Sequence, residues 1–156
     1  MVAGASLPPG HAPGLVGAKV AVIDDETIVV EAMRALFAAW GAEVFGATSA
    51  PEMLSALADA GTCPDLLIAD YRLTRNELGT DAIAGLRSEL GPSLPALLIS
   101  GDSSTATLSA LRSSGLEFLL KPVLPEELKR VSARLLAVAR KAPADCAPRG
   151  PTRAIH

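Results

Sequence analysis

Apolar residues in this chain come in short unbroken runs separated by longer stretches of helical spacing. The runs are Lys19 to Ile23, Ala42 to Gly46, Asp65 to Ala69, Pro95 to Ser100 and Glu117 to Leu120. Each reads as a strand, and the apolar run Leu66 to Ala69, bounded by polar residues, is consistent with one buried on both faces. Such strands belong to parallel sheets covered by helices. The clearest is Pro64-Asp65-Leu66-Leu67-Ile68-Ala69-Asp70, where four apolar residues stop at a carboxylate.

Between the runs the period changes. From Thr27 to Trp40, the residues Ile28, Ala32, Leu36 and Trp40 recur in four-residue steps and predict a helix with one buried stripe. Gly41 is a good stop, and Trp40 is expected to pack at that helix end. Ser49 and Glu52 have capping-box spacing with Pro51 in the first turn, and that helix runs to about Ala60. Thr80 or Asp81 is the expected cap of a third helix ending near Gly91. Ser103 or Ser104 caps a fourth, ending by Gly115. Pro125, Glu126 and Glu127 open a fifth, with Leu128, Val131, Leu135 and Val138 as its buried face.

Strands alternating with helices imply βαβ units. The predicted fold is α/β: a single doubly wound five-stranded parallel sheet of order 2-1-3-4-5 with helices on both faces. Residues 1–17, rich in Gly, Pro and Ala, read as a flexible leader, and His11 within it as inert. Residues 18–140 form the domain, and residues 141–156 read as a disordered tail. The loop from Tyr71 to Gly79 is polar and expected to be mobile.

Composition narrows the function classes. A net charge of -3 gives no electrostatic basis for direct nucleic-acid binding. No apolar run is long enough to insert in a membrane, and the N-terminus lacks a signal-peptide pattern. Cys63 and Cys146 lack motif spacing and are expected to be free thiols in a reducing cytoplasm.

Right-handed crossovers bring every strand's carboxyl end to one edge. Asp24 and Asp25, Asp70, Ser100 and Lys121 then converge there, each ending an apolar run. Carboxylates placed together repel and need a compensating cation. A hard dication fits, Mg²⁺ first with Mn²⁺ as the alternative, and no His or Cys cluster suggests zinc. A lysine and a hydroxyl opposite the metal suit a phosphoryl group, with the Asp70 carboxylate as nucleophile.

The motifs Val-Ala-Val-Ile-Asp24-Asp25-Glu26, Leu-Leu-Ile-Ala-Asp70, Leu-Leu-Ile-Ser100-Gly101 and Phe118-Leu-Leu-Lys121-Pro122 stand in this order. With them the chain resembles a response-regulator receiver domain of two-component signalling, a flavodoxin-like fold, over about Ala18 to Arg140. The resemblance implies that Asp70 accepts a phosphoryl group from the phosphohistidine of a histidine kinase or histidine phosphotransfer protein. It implies Mg²⁺ on Asp24, Asp25, Asp70 and the main-chain carbonyl of Arg72. Ser100 and Lys121 would contact the phosphoryl group, Ser100 and Phe118 would switch together, and the Lys121-Pro122 bond would be cis. The surface from the fourth to the fifth helix would carry the signal, with a homodimer as an option. Such a domain is not an enzyme beyond its own phosphorylation and dephosphorylation.

Arg72 and Asp102 each lie two residues past a site residue and are expected at the pocket rim, paired across its mouth; Tyr71 and Gly101 are placed at the same rim. The Asp70-Tyr71-Arg72-Leu73 loop, the Ser100-Gly101-Asp102 strand end and the Pro-rich leader are also similar to receiver modules at the C-terminus of hybrid sensor histidine kinases. A free-standing regulator is the competing reading. Two other functions use similar parts. A receiver that no longer phosphorylates would serve as a docking module. Haloacid-dehalogenase-like phosphatases combine the same residue types, but they carry a general acid where this chain has Arg72 and place their acidic pair last.

Overall fold

The structure, a computed structural model, describes residues 14–73 and 77–139. The leader before residue 14, with His11, and the tail after residue 139, with Cys146, lie outside the described residues.

The elements alternate as the pattern requires: β1 (Lys19–Ile23), α1 (Thr27–Ala39), β2 (Glu43–Ala47), α2 (Ala50–Ala60), β3 (Leu66–Asp70), α3 (Gly79–Leu90), β4 (Ala96–Ser100), α4 (Thr105–Ser113), β5 (Glu117–Leu120) and α5 (Pro125–Ala139). They form a doubly wound five-stranded sheet of order β2-β1-β3-β4-β5, with every pairing parallel. The order places a switch point between β1 and β3, where Ile23 lies beside Ala69.

Alternation along the strands splits the core into two layers. Val20, Val22, Leu66, Ile68, Leu97 and Ile99 pack with residues of α1 and α5 such as Phe37, Val131 and Leu136. Ala21, Ile23, Leu67, Ala69 and Leu98 pack on the other face with residues of α2, α3 and α4 such as Met53, Leu57, Leu86 and Leu111.

Several local expectations are corrected. In α1 the buried face is Val30, Met33 and Phe37, whereas Ile28 is 77% exposed and Ala32 is also exposed. Trp40 does pack at the helix end, edge-on to Phe37 with ring centroids 5.1 Å apart. In α5 the buried residues are Leu128, Val131, Ser132 and Leu136, while Val138 faces outward. The domain's packing includes residues before Ala18: Leu15 is fully buried in the α1/α5 layer, and Gly17 donates its N–H to the Gly41 carbonyl at 2.8 Å. Cys63 is disulfide-bonded, so the free thiol expected there is not found.

The two described ends of the loop after β3, residues 71–73 and 77–79, are bonded to each other, against the mobility expected of them. Arg72 and Leu78 form an isolated antiparallel bridge, with Leu73 N–H donating to Glu77 at 2.8 Å and Gly79 N–H to Tyr71 at 2.6 Å. The bridge delivers the chain directly into α3, which starts at Gly79 behind Leu78 without a side-chain cap, not at Thr80 or Asp81. A Cβ at Gly79 would collide with the Asp70 carbonyl oxygen, so only glycine lets α3 start this close to β3. Among the described residues no helix is long and apolar enough to cross a membrane.

Candidate functional site

The carboxyl edge of the sheet collects the strand-end residues. At the end of β1, Asp24 is 3% exposed, and its Oδ1 accepts the Glu26 N–H at 2.9 Å. Asp25, next in the chain, is half-buried, as is Asp70 at the end of β3. One carboxylate oxygen from each of Asp24, Asp25 and Asp70 lies within 4.8 Å of the others. Lys121, just past β5, places Nζ 3.7 Å from Asp70 Oδ2. Its position is fixed by its own N–H, which donates to the Ser100 carbonyl at 2.8 Å. The Lys121–Pro122 peptide bond is cis.

Electrostatics follow from burial. Desolvation pushes the Asp24 carboxyl up to about 6, opposed by the Glu26 N–H and reinforced by the charge of Asp70. Asp70 is also raised, by burial first, with Lys121 and the Arg72 backbone N–H pulling against it. Three acidic groups thus share one adjacent ammonium. That donor set, all hard oxygens, fits a divalent cation such as Mg²⁺. The Arg72–Leu78 bridge spends the Tyr71 carbonyl and the Leu73 N–H on the loop, accepting from Gly79 and donating to Glu77. In an antiparallel bridge of this kind the intervening residue turns both its backbone groups the other way. The Arg72 N–H accordingly meets the Asp70 carboxylate.

Asp70, Arg72, Ser100, Gly101, Asp102 and Lys121 line a cavity of about 230 Å³ at this edge. Ser100 is buried and turned onto its own loop. Its hydroxyl donates to the Asp102 carbonyl at 3.0 Å and accepts the Asp102 N–H at 3.1 Å. Arg72 spans the mouth, with Nη2 3.2 Å from Asp102 Oδ2. A Cβ at Gly101 would touch only Lys121, at 3.6 Å, so this part of the rim is open. Tyr71 does not line the cavity. It is 6% exposed within the second core layer, and the Arg72 guanidinium sits 5.5 Å from its ring centroid. Phe118 is half-buried against that same layer.

Two neighbours of the site escaped the sequence reading. Gly79 supports Asp70 from behind, and only the close approach of α3 reveals it. Thr107, buried in the first turn of α4, donates to Asp102 Oδ2 at 2.7 Å. The one clue in sequence was its position three residues after Ser104, whose side chain caps α4 by accepting the Thr107 N–H.

Fold and pocket together define a doubly wound α/β domain with an acidic, lysine-bearing cleft at its switch point. A family model described as the response regulator receiver domain matches residues 20–132. The transcriptional regulatory protein ZraR of Salmonella typhimurium is 29% identical over 129 residues, covering 81% of this chain and 28% of that protein. The alginate biosynthesis transcriptional regulatory protein AlgB of Pseudomonas aeruginosa is 26% identical, covering 77% of this chain and 26% of its own length. Among solved structures, a CheY-like receiver domain protein from Methanospirillum hungatei superposes with a TM-score of 0.68 at 21% identity, over 80% of this chain and 98% of that one. NtrX from Brucella abortus does so with a TM-score of 0.69 at 26% identity, over 81% of this chain and 28% of that one. The chain belongs to the response regulator receiver family. It spans little more than a quarter of the curated relatives it matches, and these are named as transcriptional regulators rather than sensor kinases.

Proposed function

We propose that this domain is a phosphoacceptor switch in which Asp70 takes a phosphoryl group from the phosphohistidine of a histidine kinase or histidine phosphotransfer protein. The observation that carries the reading is the convergence of Asp24, Asp25 and Asp70 within 4.8 Å, with the Lys121 ammonium 3.7 Å from Asp70. An Asp70 carboxylate oxygen forms the bond to phosphorus as the phosphorus–nitrogen bond breaks. The electron pair stays on the imidazole, which leaves neutral after a proton exchange with solvent. Such transfer depends on positioning and charge stabilisation more than on covalent chemistry. Lys121 neutralises one phosphoryl oxygen, and Ser100, once released from Asp102, hydrogen-bonds another.

Asp24, Asp25, Asp70 and the Arg72 carbonyl would hold Mg²⁺, which when bound supplies the positive charge that lets the acidic residues and the phosphoryl group coexist. Phosphorylation adds charge and acceptor oxygens at this edge. Ser100 and the loop after β4 then move, Phe118 follows, and the surface around α4, β5 and α5 reports the change. A cytoplasmic setting suits this chemistry. The named relatives support an output in transcriptional control, by contact with other protein segments, rather than the hybrid-kinase setting. Arg72, held on Asp102, screens the phosphoryl group from water, and Arg72→Ala is expected to shorten the phosphorylated lifetime. An unchanged lifetime would count against that role.

Incubation with acetyl phosphate and Mg²⁺ tests the function. A mass gain of one phosphoryl group, absent in Asp70→Asn, is the expected result. No gain with any donor would instead favour a docking domain that has lost the chemistry.

A further inference from the structure

We propose that Thr107 is a positioning residue that holds the Ser100 hydroxyl away from the phosphoacceptor in the resting domain, and so sets how readily the site switches. The inference rests on the reading of Asp70 as phosphoacceptor. It adds a residue of α4 to which no role has been assigned.

The chain of contacts runs through Asp102. Ser100 spends its hydroxyl on the Asp102 main chain, donating to the carbonyl at 3.0 Å and accepting from the N–H at 3.1 Å. To turn toward Asp70, Ser100 must give up both of these bonds, and they persist as long as the turn from 100 to 104 presents the Asp102 main chain to it. That turn is held by the Asp102 carboxylate. Its Oδ1 accepts the Ser104 N–H at 2.9 Å, and its Oδ2 accepts the Thr107 hydroxyl at 2.7 Å and Arg72 Nη2 at 3.2 Å. Arg72 Nη2 also donates to Thr107 Oγ1 at 3.2 Å, closing a ring of three side chains.

The contacts are not of equal weight. The side chains of Arg72 and Asp102 are 61% and 37% exposed. An exposed pair of this kind contributes little and is screened by salt. Thr107 is 3% exposed, and its bond to Asp102 is short and charge-assisted. Removing the hydroxyl leaves Asp102 with its exposed partners only. Thr107 also lies on α4, packed above Leu111 in the second core layer, so the clamp ties the pocket to the helix that must move. Holding the resting arrangement more tightly lowers the population of the switched one, because a phosphoryl group shifts the equilibrium only by its differential stabilisation.

The test compares Thr107→Val, which keeps the shape without the hydroxyl, with Thr107→Ser, which keeps the hydroxyl without the methyl. The full chain is used, and two measurements are made. In the unphosphorylated protein, amide exchange over residues 101–107 should rise about tenfold in Thr107→Val and stay near wild type in Thr107→Ser. With acetyl phosphate and Mg²⁺, the rate of phosphoryl mass gain should rise several-fold in Thr107→Val and return toward wild type in Thr107→Ser. A merely structural lesion would loosen the loop without speeding phosphorylation. Asp102→Asn, on the exposed side of the clamp, should act in the same direction and serves where Thr107→Val does not fold. The proposal is overturned if the Val variant exchanges and phosphorylates like wild type, or if Val and Ser variants behave alike. If wild type gains no phosphoryl mass, the Asp70 reading itself fails; if wild type gains it but Thr107→Val loosens the loop without phosphorylating faster, the Asp70 reading stands and the clamp is overturned.

Discussion

Asp24 is under electrostatic stress. Its pKa is raised from 3.8 to about 6, chiefly by burial. A raised carboxyl pKa means that the folded state holds the proton more tightly than the unfolded one. The resulting stabilisation is full below about 4 and fades as pH climbs through 6, where the buried carboxylate must ionise. Without metal, Asp24→Asn is therefore expected to raise the melting temperature at pH 7 to 8. A divalent cation needs the ionised form, so Mg²⁺ affinity should fall roughly tenfold between pH 7 and pH 5, as titration calorimetry would show. Ser132 carries a different stress: its hydroxyl is fully buried and, among the described residues, has no hydrogen-bond partner. Ser132→Ala should stabilise the fold by about 1 kcal/mol in urea unfolding. Gly79→Ala should destabilise it by about 2–3 kcal/mol, because Asp70 backbone stands where the methyl must go. At this scale the sequence was readable where a polar residue ended an apolar run, as at Asp24, Asp70, Ser100 and Lys121. It was silent on Thr107 and Gly79, whose importance comes from a neighbour far away in the chain. Tyr71 was misplaced because an aromatic beside a polar site reads as rim, while its bulk is more favourably buried.

Elements were legible by type and misread by face. A stripe in four-residue steps drifts by about 40° per step around a helix. Over Ile28, Ala32, Leu36 and Trp40 that drift carries the stripe from solvent to core, and only its end is buried. The exposed part lines an apolar groove with Val123 and Leu128 beside α5. The same limit applies to α5, where Val138 turns outward and Ser132 inward. Edges were not legible at all. In β2, Glu43 N–H and the Ala47 carbonyl bond toward β1, so Val44 presents its carbonyl to the open side. Arg34 of α1 reaches that carbonyl with Nη1 at 2.6 Å. A guanidinium on an otherwise unpaired edge blocks strand addition by another chain. Arg34→Ala should leave the monomer folded and make it associate at lower concentration, as light scattering would detect.

At the scale of the whole domain, the alternation of strands and helices was enough to give the sheet order, because parallel strands with right-handed crossovers admit few topologies. The start of the domain was not readable. A segment of Gly, Pro and Ala looks like linker, yet Leu15 is completely buried beside α1 and α5. Leu15→Ala should cost about 2–4 kcal/mol, and a chain begun at Ala18 should unfold at correspondingly lower urea than one begun at Gly14.

The sheet also acts as a partition. Arg72's partner Tyr71, the half-buried Phe118, and Thr107's helix neighbour Leu111 all belong to the layer of α2, α3 and α4. Leu15, Phe37 and Trp40 belong to the other. The three central strands β1, β3 and β4, buried on both sides almost throughout, form a stiff wall between them. Substitutions at Leu15 or Phe37 are therefore expected to lower the melting temperature without changing amide exchange over residues 101–107, whereas substitution of Leu111 should change both.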